Sequence, residues 1–287
     1  MKTTRAPQVS LPPAARKTLV HVGLVSSAFV MVYPLLWLTS SAFRPPGQVV
    51  SESGLIVSDP TLENFDQGWN SVGSVSFGQF FINSAIIAAL SVIGNLISCS
   101  LAAYAFAKLR FPGKKLWFAI MICTIMLPYH VLLIPQYLLF NTMGMVDTFL
   151  PLILPKFLAT EAFFVFLLVQ FFRLIPDELA EAARIDGCGQ FQTFFRIMLP
   201  LAVPALATTG AFSFIWSWND FLSPLIYLTS PENYTVPIGL SMFLDASGSS
   251  NYGGLFAMSL LSLLPVIGFF AAFQKLLLDG ISTTGLK

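Results

Sequence analysis

Long apolar runs separated by short polar segments set the pattern along this chain. A helix needs about 20 apolar residues to cross a bilayer. Leu19 to Phe43 is 25 residues without an acid, lysine or arginine, Phe80 to Ala107 is 28, and Leu116 to Phe140 is 25. Leu201 to Thr229 carries one acid, Asp220, and Gly253 to Gln274 is 22 residues without a charge. A sixth run, Pro151 to Phe172, is interrupted by Lys156 and Glu161. The pattern predicts an all-α transmembrane fold of six spans. Pro34, Pro128, Pro135, Pro204, Pro224 and Pro265 fall within these runs. Each is a candidate kink, because a mid-helix proline removes a donor and frees a carbonyl. Proline is also simply commoner in membrane helices.

Composition supports the span count. Of 287 residues, 55% are apolar and only 10% charged, against about 25% charged in a typical soluble domain. A soluble surface could not be covered with so few charges. A net charge of +1 leaves no broad basic surface for nucleic acid. Cys99, Cys123 and Cys188 are too dispersed for a disulfide framework or a zinc site, and read as small packing residues. The first run is too long for a signal-peptide core and reads as a retained span.

Charge asymmetry orients the bundle. Segments 1–18, 108–115, 173–200 and 275–287 hold 13 of the 15 lysines and arginines. The alternate segments 44–79, 141–156 and 230–252 hold only Arg44 and Lys156, beside Glu52, Asp59, Glu63, Asp66, Asp147, Glu232 and Asp245. Both termini are therefore expected in the cytoplasm, with residues 1–18 as a tail. The interrupted fourth span is required, since without it the basic 173–200 segment would lie outside.

One cytoplasmic segment is more than a connector by its pattern. Pro176, Asp177 and Glu178 open a run of strong helix formers that Gly187 stops. Gln190 to Leu199 then predicts a second short helix, ended by Pro200. Two readings stand: a connector on the lipid surface, or a helix for a groove on a protein partner. Asp177, Glu178, Glu181 and Asp186 against Arg184 favour the protein, because anionic lipid would repel them.

Glu181-Ala182-Ala183, three residues, Gly187, nine residues, Ile197, one residue and Leu199-Pro200 resemble the EAA signature of the membrane subunits of bacterial ABC importers. Phe81-Ile82-Asn83-Ser84, Phe111-Pro112-Gly113-Lys114, Met126-Leu127-Pro128 to Ile134-Pro135, Leu154-Pro155, Trp218-Asn219-Asp220-Phe221-Leu222 with Pro224-Leu225, and Gln274-Lys275 are similar to the carbohydrate branch, the maltose-transporter type. So is the ending Gly280-Ile281 with Gly285-Leu286-Lys287. Cys188 stands where alanine or a similar small residue is usual, a change conservative in size, and the usual GAVKG ending is missing.

The resemblance implies a six-helix type I importer permease over residues 19–287, in the bacterial cytoplasmic membrane. Its partners would be a second homologous permease, two ATPase subunits, an extracytoplasmic solute-binding protein and membrane lipid. The loop 176–200 would couple to the ATPase through Glu181, Ala182, Ala183, Asp186 and Gly187. The loops 44–79 and 230–252 would receive the binding protein. No G-x-x-x-x-G-K-[ST] loop occurs, so the chain is expected to be no enzyme and to bind no cofactor, with ATP and magnesium on the partner ATPases. Trp216, Trp218, Asn219, Asp220 and Tyr227 are candidates for the pathway, since sugars stack on rings and hydrogen-bond to amides and acids. An interfacial aromatic belt is the other reading of that set. The solute expected is a carbohydrate, with a glycerol-phosphate-type solute as alternative. A secondary transporter would carry more paired intramembrane charges and often an inverted repeat. An intramembrane enzyme would need a catalytic pair, and no motif joins Asp220 to Glu161, the only acids within the spans. His21 and His130 stand alone.

Overall fold

The structure is a computed structural model that describes residues 13–49, 51–52, 54–70, 75–244 and 250–282. The first twelve residues of the tail, Asp245 and the Gly285-Leu286-Lys287 ending lie outside these. Among the described residues every regular element is helical: α1 (Pro13–Ala42), α2 (Glu63–Asn70), α3 (Phe77–Lys108), α4 (Lys114–Ile125), α5 (Tyr129–Thr142), α6 (Leu150–Ile153), α7 (Ala162–Leu174), α8 (Asp177–Ile185), α9 (Gln190–Thr193), α10 (Leu199–Leu201), α11 (Val203–Asn219), α12 (Leu222–Tyr227), α13 (Val236–Ser241) and α14 (Tyr252–Ser282), with four short 3-10 or π stretches between them. Four stretches are long and apolar enough to cross a membrane: Arg16–Ala42, Phe77–Lys108, Leu150–Leu174 and Tyr252–Lys275. Two bent pairs pass the same test together, Lys114–Ile125 with His130–Thr142 and Gln190–Leu201 with Val203–Asn219.

Three expected helices are broken. The third run bends by 102° between α4 and α5. Pro128 sits at the break with ψ 124°, and a proline disfavours helical backbone in the residue before it. The fourth run leaves α6 for a 3-10 turn, Leu154–Leu158, passes through Ala159 at φ +54°, and restarts as α7. The fifth run ends at Asn219, where Asp220 is extended at ψ 117°, and resumes as α12. Asp220 Oδ1 accepts the Ser223 N–H at 3.2 Å and so caps the new helix. Pro200 does not end the second cytoplasmic helix. The chain stays helical through Leu201, and Ala202 makes the 79° bend into α11. Pro200 follows a π-helical stretch, Phe194–Met198, in the last turn before the bend. Pro34, Pro135 and Pro265 lie inside continuous helices.

α3 is the central element, packed against α7 and α11, while α11 packs on α14 and α14 on α1 and α2. Three apolar clusters order the bundle along α3. Phe77, Phe80, Trp218, Val236, Phe243 and Met258 form one at its start. Ile87, Phe140, Leu152 and Tyr227 form a second one. Cys99, Tyr104, Phe164, Leu168, Phe172, Phe194 and Met198 form one near its end. α1 stays apolar and exposed, with Leu24, Val25, Phe29, Val30 and Met31 uncovered, as suits lipid or a neighbouring chain rather than water.

Polar side chains fasten the connecting loops. Arg44, fully buried, donates to the Glu52 and Gly54 carbonyls. Asn64 Nδ2 donates to the Ala42 and Arg44 carbonyls at 2.9 and 2.6 Å. A Cβ on Gly253 would meet Asn64 Oδ1 at 2.2 Å, so only glycine lets α14 approach. Asn83 Nδ2 donates to Glu232 O at 2.7 Å and Tyr234 O at 2.9 Å, and Ser84 Oγ accepts the Val236 N–H at 2.9 Å.

Asp147, at φ +63°, ties the loop after α5 to the one after α12. Its carboxylate accepts the Ser230 hydroxyl, the Ser230 and Thr229 N–H groups at 2.9 and 3.0 Å, and Asn233 Nδ2 at 3.2 Å. The Ser230 hydroxyl first, then these backbone donors, hold its pKa well below the carboxylate range. A depressed pKa contributes stability above the ordinary value that is lost only as pH falls through the depressed one. Asp147→Ala is expected to lower the thermal midpoint in detergent by several degrees at pH 7. The gap from the unsubstituted protein should persist at pH 5 and close only in stronger acid. A gap already closed at pH 5 would show that these donors do not hold the carboxylate below its ordinary range.

Candidate functional site

The central part of the bundle is not filled. A cavity of about 400 Å³ is lined by Ser91 and Asn95 of α3, Lys156 and Glu161 of the break before α7, Phe164 of α7, and Ser213, Trp216, Ser217, Asn219 and Asp220 of α11 and its end. A second, of about 610 Å³, shares Lys156, Glu161 and Asp220 and adds Gln136, Thr160, Ser223 and Tyr227. The helix breaks create this polarity. Where α7 and α11 are interrupted, backbone groups and ionisable side chains enter an otherwise apolar bundle, and irregular backbone at membrane depth is tolerated only where it is buried in protein or lines a cavity.

Local contacts fix the walls. Ser98 Oγ donates to the Lys156 carbonyl at 2.6 Å, holding the break against α3. Asn95 Nδ2 donates to Ser213 Oγ at 2.8 Å and Ser217 Oγ to Ser91 Oγ at 3.3 Å, joining α3 to α11. Lys156 and Glu161 form an ion pair, each side chain 28% exposed. Two acids face one lysine, so the cavity suits a neutral hydroxylated solute better than an anion. Trp216 is 46% exposed and stacks on Phe164 at 5.0 Å.

The five residues proposed from sequence divide. Trp216, Asn219 and Asp220 line the first cavity, and Asp220 and Tyr227 the second. Trp218 lines neither. It is 4% exposed, stacks on Phe214 at 5.6 Å, lies 6.0 Å from Phe81, and donates Nε1–H to Ser262 O at 3.2 Å. A two-residue step turns a helix by about 200°, which puts Trp216 and Trp218 on opposite faces. Tyr227 is 98% buried, against Phe140 and Tyr137. Ser91, Asn95, Lys156, Glu161, Ser213 and Ser217 also line the first cavity and are not among the pathway residues the sequence singles out. Two signals were available: the spacing of Ser91, Asn95 and Ser98 on one helix face, and the two charges interrupting the fourth run.

The second group of candidates lies around α8. Glu181, Ala182, Asp186 and Gly187 are exposed, whereas Ala183 is buried, and its neighbour Ala180 belongs to the apolar cluster near the end of α3. Gly187 takes φ +83°. Its N–H donates to Arg184 O at 3.0 Å and the Cys188 N–H to Ala183 O at 2.8 Å, the paired bonds of a Schellman turn. Gln192 Oε1 then accepts the Gly189 N–H at 3.0 Å, opening α9. Two contacts brace this hairpin on α3. Lys108 Nζ donates to Asp177 Oδ1 and to Ile175 O, both at 2.5 Å, and Tyr104 lies 3.2 Å from Gln190 Oε1. The Lys108 bond holds the Asp177 pKa below its ordinary value. Ile185 and Phe191 are exposed by 87% and 73% beside the acids, an apolar surface that the sequence reading had not singled out.

Comparisons with known proteins agree with this architecture. The chain is 35% identical over 272 residues to the arabinooligosaccharides transport system permease protein AraQ of Halalkalibacterium halodurans, covering 94% of this chain and 96% of that protein. It is 30% identical to the galactooligosaccharides transport system permease protein GanQ of Bacillus subtilis, covering 93% and 94%. It is 28% identical to the diacetylchitobiose uptake system permease protein NgcG of Streptomyces coelicolor, covering 91% and 86%. Its fold matches a chain of a bacterial ABC transporter involved in import of the acidic polysaccharide alginate, with a TM-score of 0.79 at 23% identity, over 94% of this chain and 99% of that one. Residues 94–282, which contain most of the cavity wall and the whole α8 hairpin, match the family described as the binding-protein-dependent transport system inner membrane component. With that match over well more than half its length, the chain belongs to the family of membrane permease components of binding-protein-dependent transport systems.

Proposed function

We propose that this chain forms half of the pathway of an ATP-driven carbohydrate importer. The observation that carries the reading is a cavity of amides, hydroxyls, carboxylates and an indole inside an apolar bundle. The names of the sugar-transporting relatives support a neutral oligosaccharide as solute. The two acids against one lysine speak against the glycerol-phosphate alternative. Counting each bent pair as one span allows up to six spans, which together with the charge asymmetry supports cytoplasmic termini. A second permease completes the pathway. The outer segments 44–79 and 230–252 receive the solute-binding protein, and two ATPase subunits carry ATP and magnesium.

On this reading α8 is the coupling helix. Glu181, Ala182, Asp186 and Gly187, with Ile185, meet the ATPase, while Ala183 seats the helix on the bundle. ATPase closure then moves α8 as a lever, and the Lys108 and Tyr104 contacts pass that motion to α3, which carries Ser91 and Asn95 of the cavity wall.

The test is uptake by the complete complex, purified with its partners in mild detergent and reconstituted. Losing a hydrogen bond to a charged group costs about 1.5–3 kcal/mol, a factor of roughly 10–100. Asp220→Asn is expected to lower uptake by at least that lower factor while complex yield and basal ATP hydrolysis stay unchanged. Normal uptake by Asp220→Asn and by Trp216→Ala together would remove the cavity from the pathway. Recovery of the chain without an ATPase or a second permease would defeat the importer assignment itself.

A further inference from the structure

Five cations gather where α3 gives way to α4. Lys108, Arg110, Lys114 and Lys115 come from the turn, and Arg173 from the last turn of α7. Lys114 lies within electrostatic reach of Arg173, Arg110 and Lys108, with Asp177 the opposing charge. Asp177 is already paired with Lys108. Among the described residues none of the other four cations has a carboxylate partner. Lys114 Nζ is turned inward, onto Leu109 O at 2.8 Å and Ala107 O at 3.4 Å. Arg173 rests on the Phe118 ring, 5.1 Å from its centre. Arg110 and Lys115 are exposed.

Three of the five, Arg110, Lys114 and Lys115, line an open groove of about 520 Å³ together with Phe111, Gly113 and Leu116. The wall beyond it is apolar and uncovered: Leu116, Trp117 and Ile120 are 64%, 58% and 47% exposed. Uncompensated cations next to bare apolar helix, with an indole at the junction, fit one ligand with an anionic head and hydrocarbon tails. An acidic protein surface would match the charges but leave Leu116, Trp117 and Ile120 bare. Free inorganic phosphate would do the same.

We propose that this groove holds the phosphate headgroup of an anionic phospholipid of the cytoplasmic leaflet, its acyl chains lying along the exposed side of α4. Arg110 and Lys115 reach the phosphate from the rim, and Lys114 and Arg173 supply the field beneath it. The leaflet rests on the orientation proposed above; the presence of the site does not. The headgroup would neutralise the repulsion among four unpaired cations directly beside the start of α8, so occupancy favours the arrangement in which α3, α7 and the hairpin are held together.

The test uses the full chain in its complex, in nanodiscs of equal phosphatidylglycerol and phosphatidylcholine, with retained lipids counted by native mass spectrometry. Arg110→Gln with Lys115→Gln is the informative variant, because both side chains are exposed and the fold does not depend on them. Each cation near an anionic headgroup contributes roughly fivefold to binding. The double variant is therefore expected to lose phosphatidylglycerol preference by at least tenfold. Arg184→Gln with Arg196→Gln removes equal charge elsewhere on the cytoplasmic side and should retain it. No enrichment of phosphatidylglycerol on the unsubstituted protein overturns the proposal. An equal loss in both double variants also does, since it shows only general surface attraction. Displacement of the lipid by excess inorganic phosphate would make this a free-phosphate site and overturn the lipid assignment. Labelling of Lys115→Cys from one side of sealed vesicles tests the orientation separately.

Discussion

Gly187→Val is expected to separate ATP hydrolysis from uptake. The variant should insert normally, hydrolyse ATP at a rate no longer stimulated by loaded binding protein, and take up solute at least tenfold more slowly. The cause is torsional. A Cβ at this position would meet nothing within 4 Å, so space is not at issue. The φ of +83° is the obstacle, because left-handed backbone costs a residue with a side chain about 1–2 kcal/mol, and a β-branched one more. The turn would relax toward negative φ, lose the Gly187 and Cys188 bonds to Arg184 and Ala183, and swing Glu181, Ile185 and Asp186 away from the surface they must meet. Asparagine tolerates left-handed backbone far better than valine, so Gly187→Asn should retain most of the uptake. If valine and asparagine behave alike, the turn conformation is not what couples the two activities.

The second large effect sets two tryptophans apart. Trp218→Ala should leave little folded protein, whereas Trp216→Ala should leave the amount and thermal midpoint nearly unchanged and weaken uptake. Emptying a buried tryptophan site costs about 3–5 kcal/mol, a large share of the roughly 5–15 kcal/mol that holds a typical domain. Trp218 fills the core between Phe81 and Phe214, and its N–H is bound to Ser262 O. Trp216 is nearly half exposed and lines the cavity. Its loss should raise the solute concentration needed for half-maximal uptake, with basal ATP hydrolysis unaltered. The reverse pattern, a stable Trp218→Ala and an unfolded Trp216→Ala, would mean that the α11 faces are assigned the wrong way round.

These predictions separate what is local in the chain from what is not. Run length placed α3 and the apolar stretches Arg16–Ala42 of α1 and Tyr252–Lys275 of α14 to within about three residues, because burial of apolar surface in a bilayer is set by composition over a window and by little else. The α8 hairpin was legible for a similar reason. Pro176, the leading acids and Gly187 act on their own backbone, and α8 runs from Asp177 to Ile185 as they dictate. Proline spacing alone could not say which helices break. Pro128 marks a 102° bend while Pro135 and Pro265 stay within helices, since whether a freed carbonyl finds another partner depends on neighbours distant in sequence.

The cavity shows the same division more sharply. The sequence displayed two aromatics and two polar residues over Trp216 to Asp220 and gave no means of choosing among their faces. Lys156 and Glu161 read only as interruptions of an apolar run. Only the packed structure reveals that Ser98 pins that break to α3, that Asn95 reaches Ser213, and that Glu161 and Asp220 border the same space. By itself the sequence determined that the chain is a helical protein of several membrane spans, and where its exposed hairpin turns. The tertiary structure decided which polar groups enclose a void and which fill the core, because that choice belongs to contacts between helices more than forty residues apart, and no local pattern encodes them.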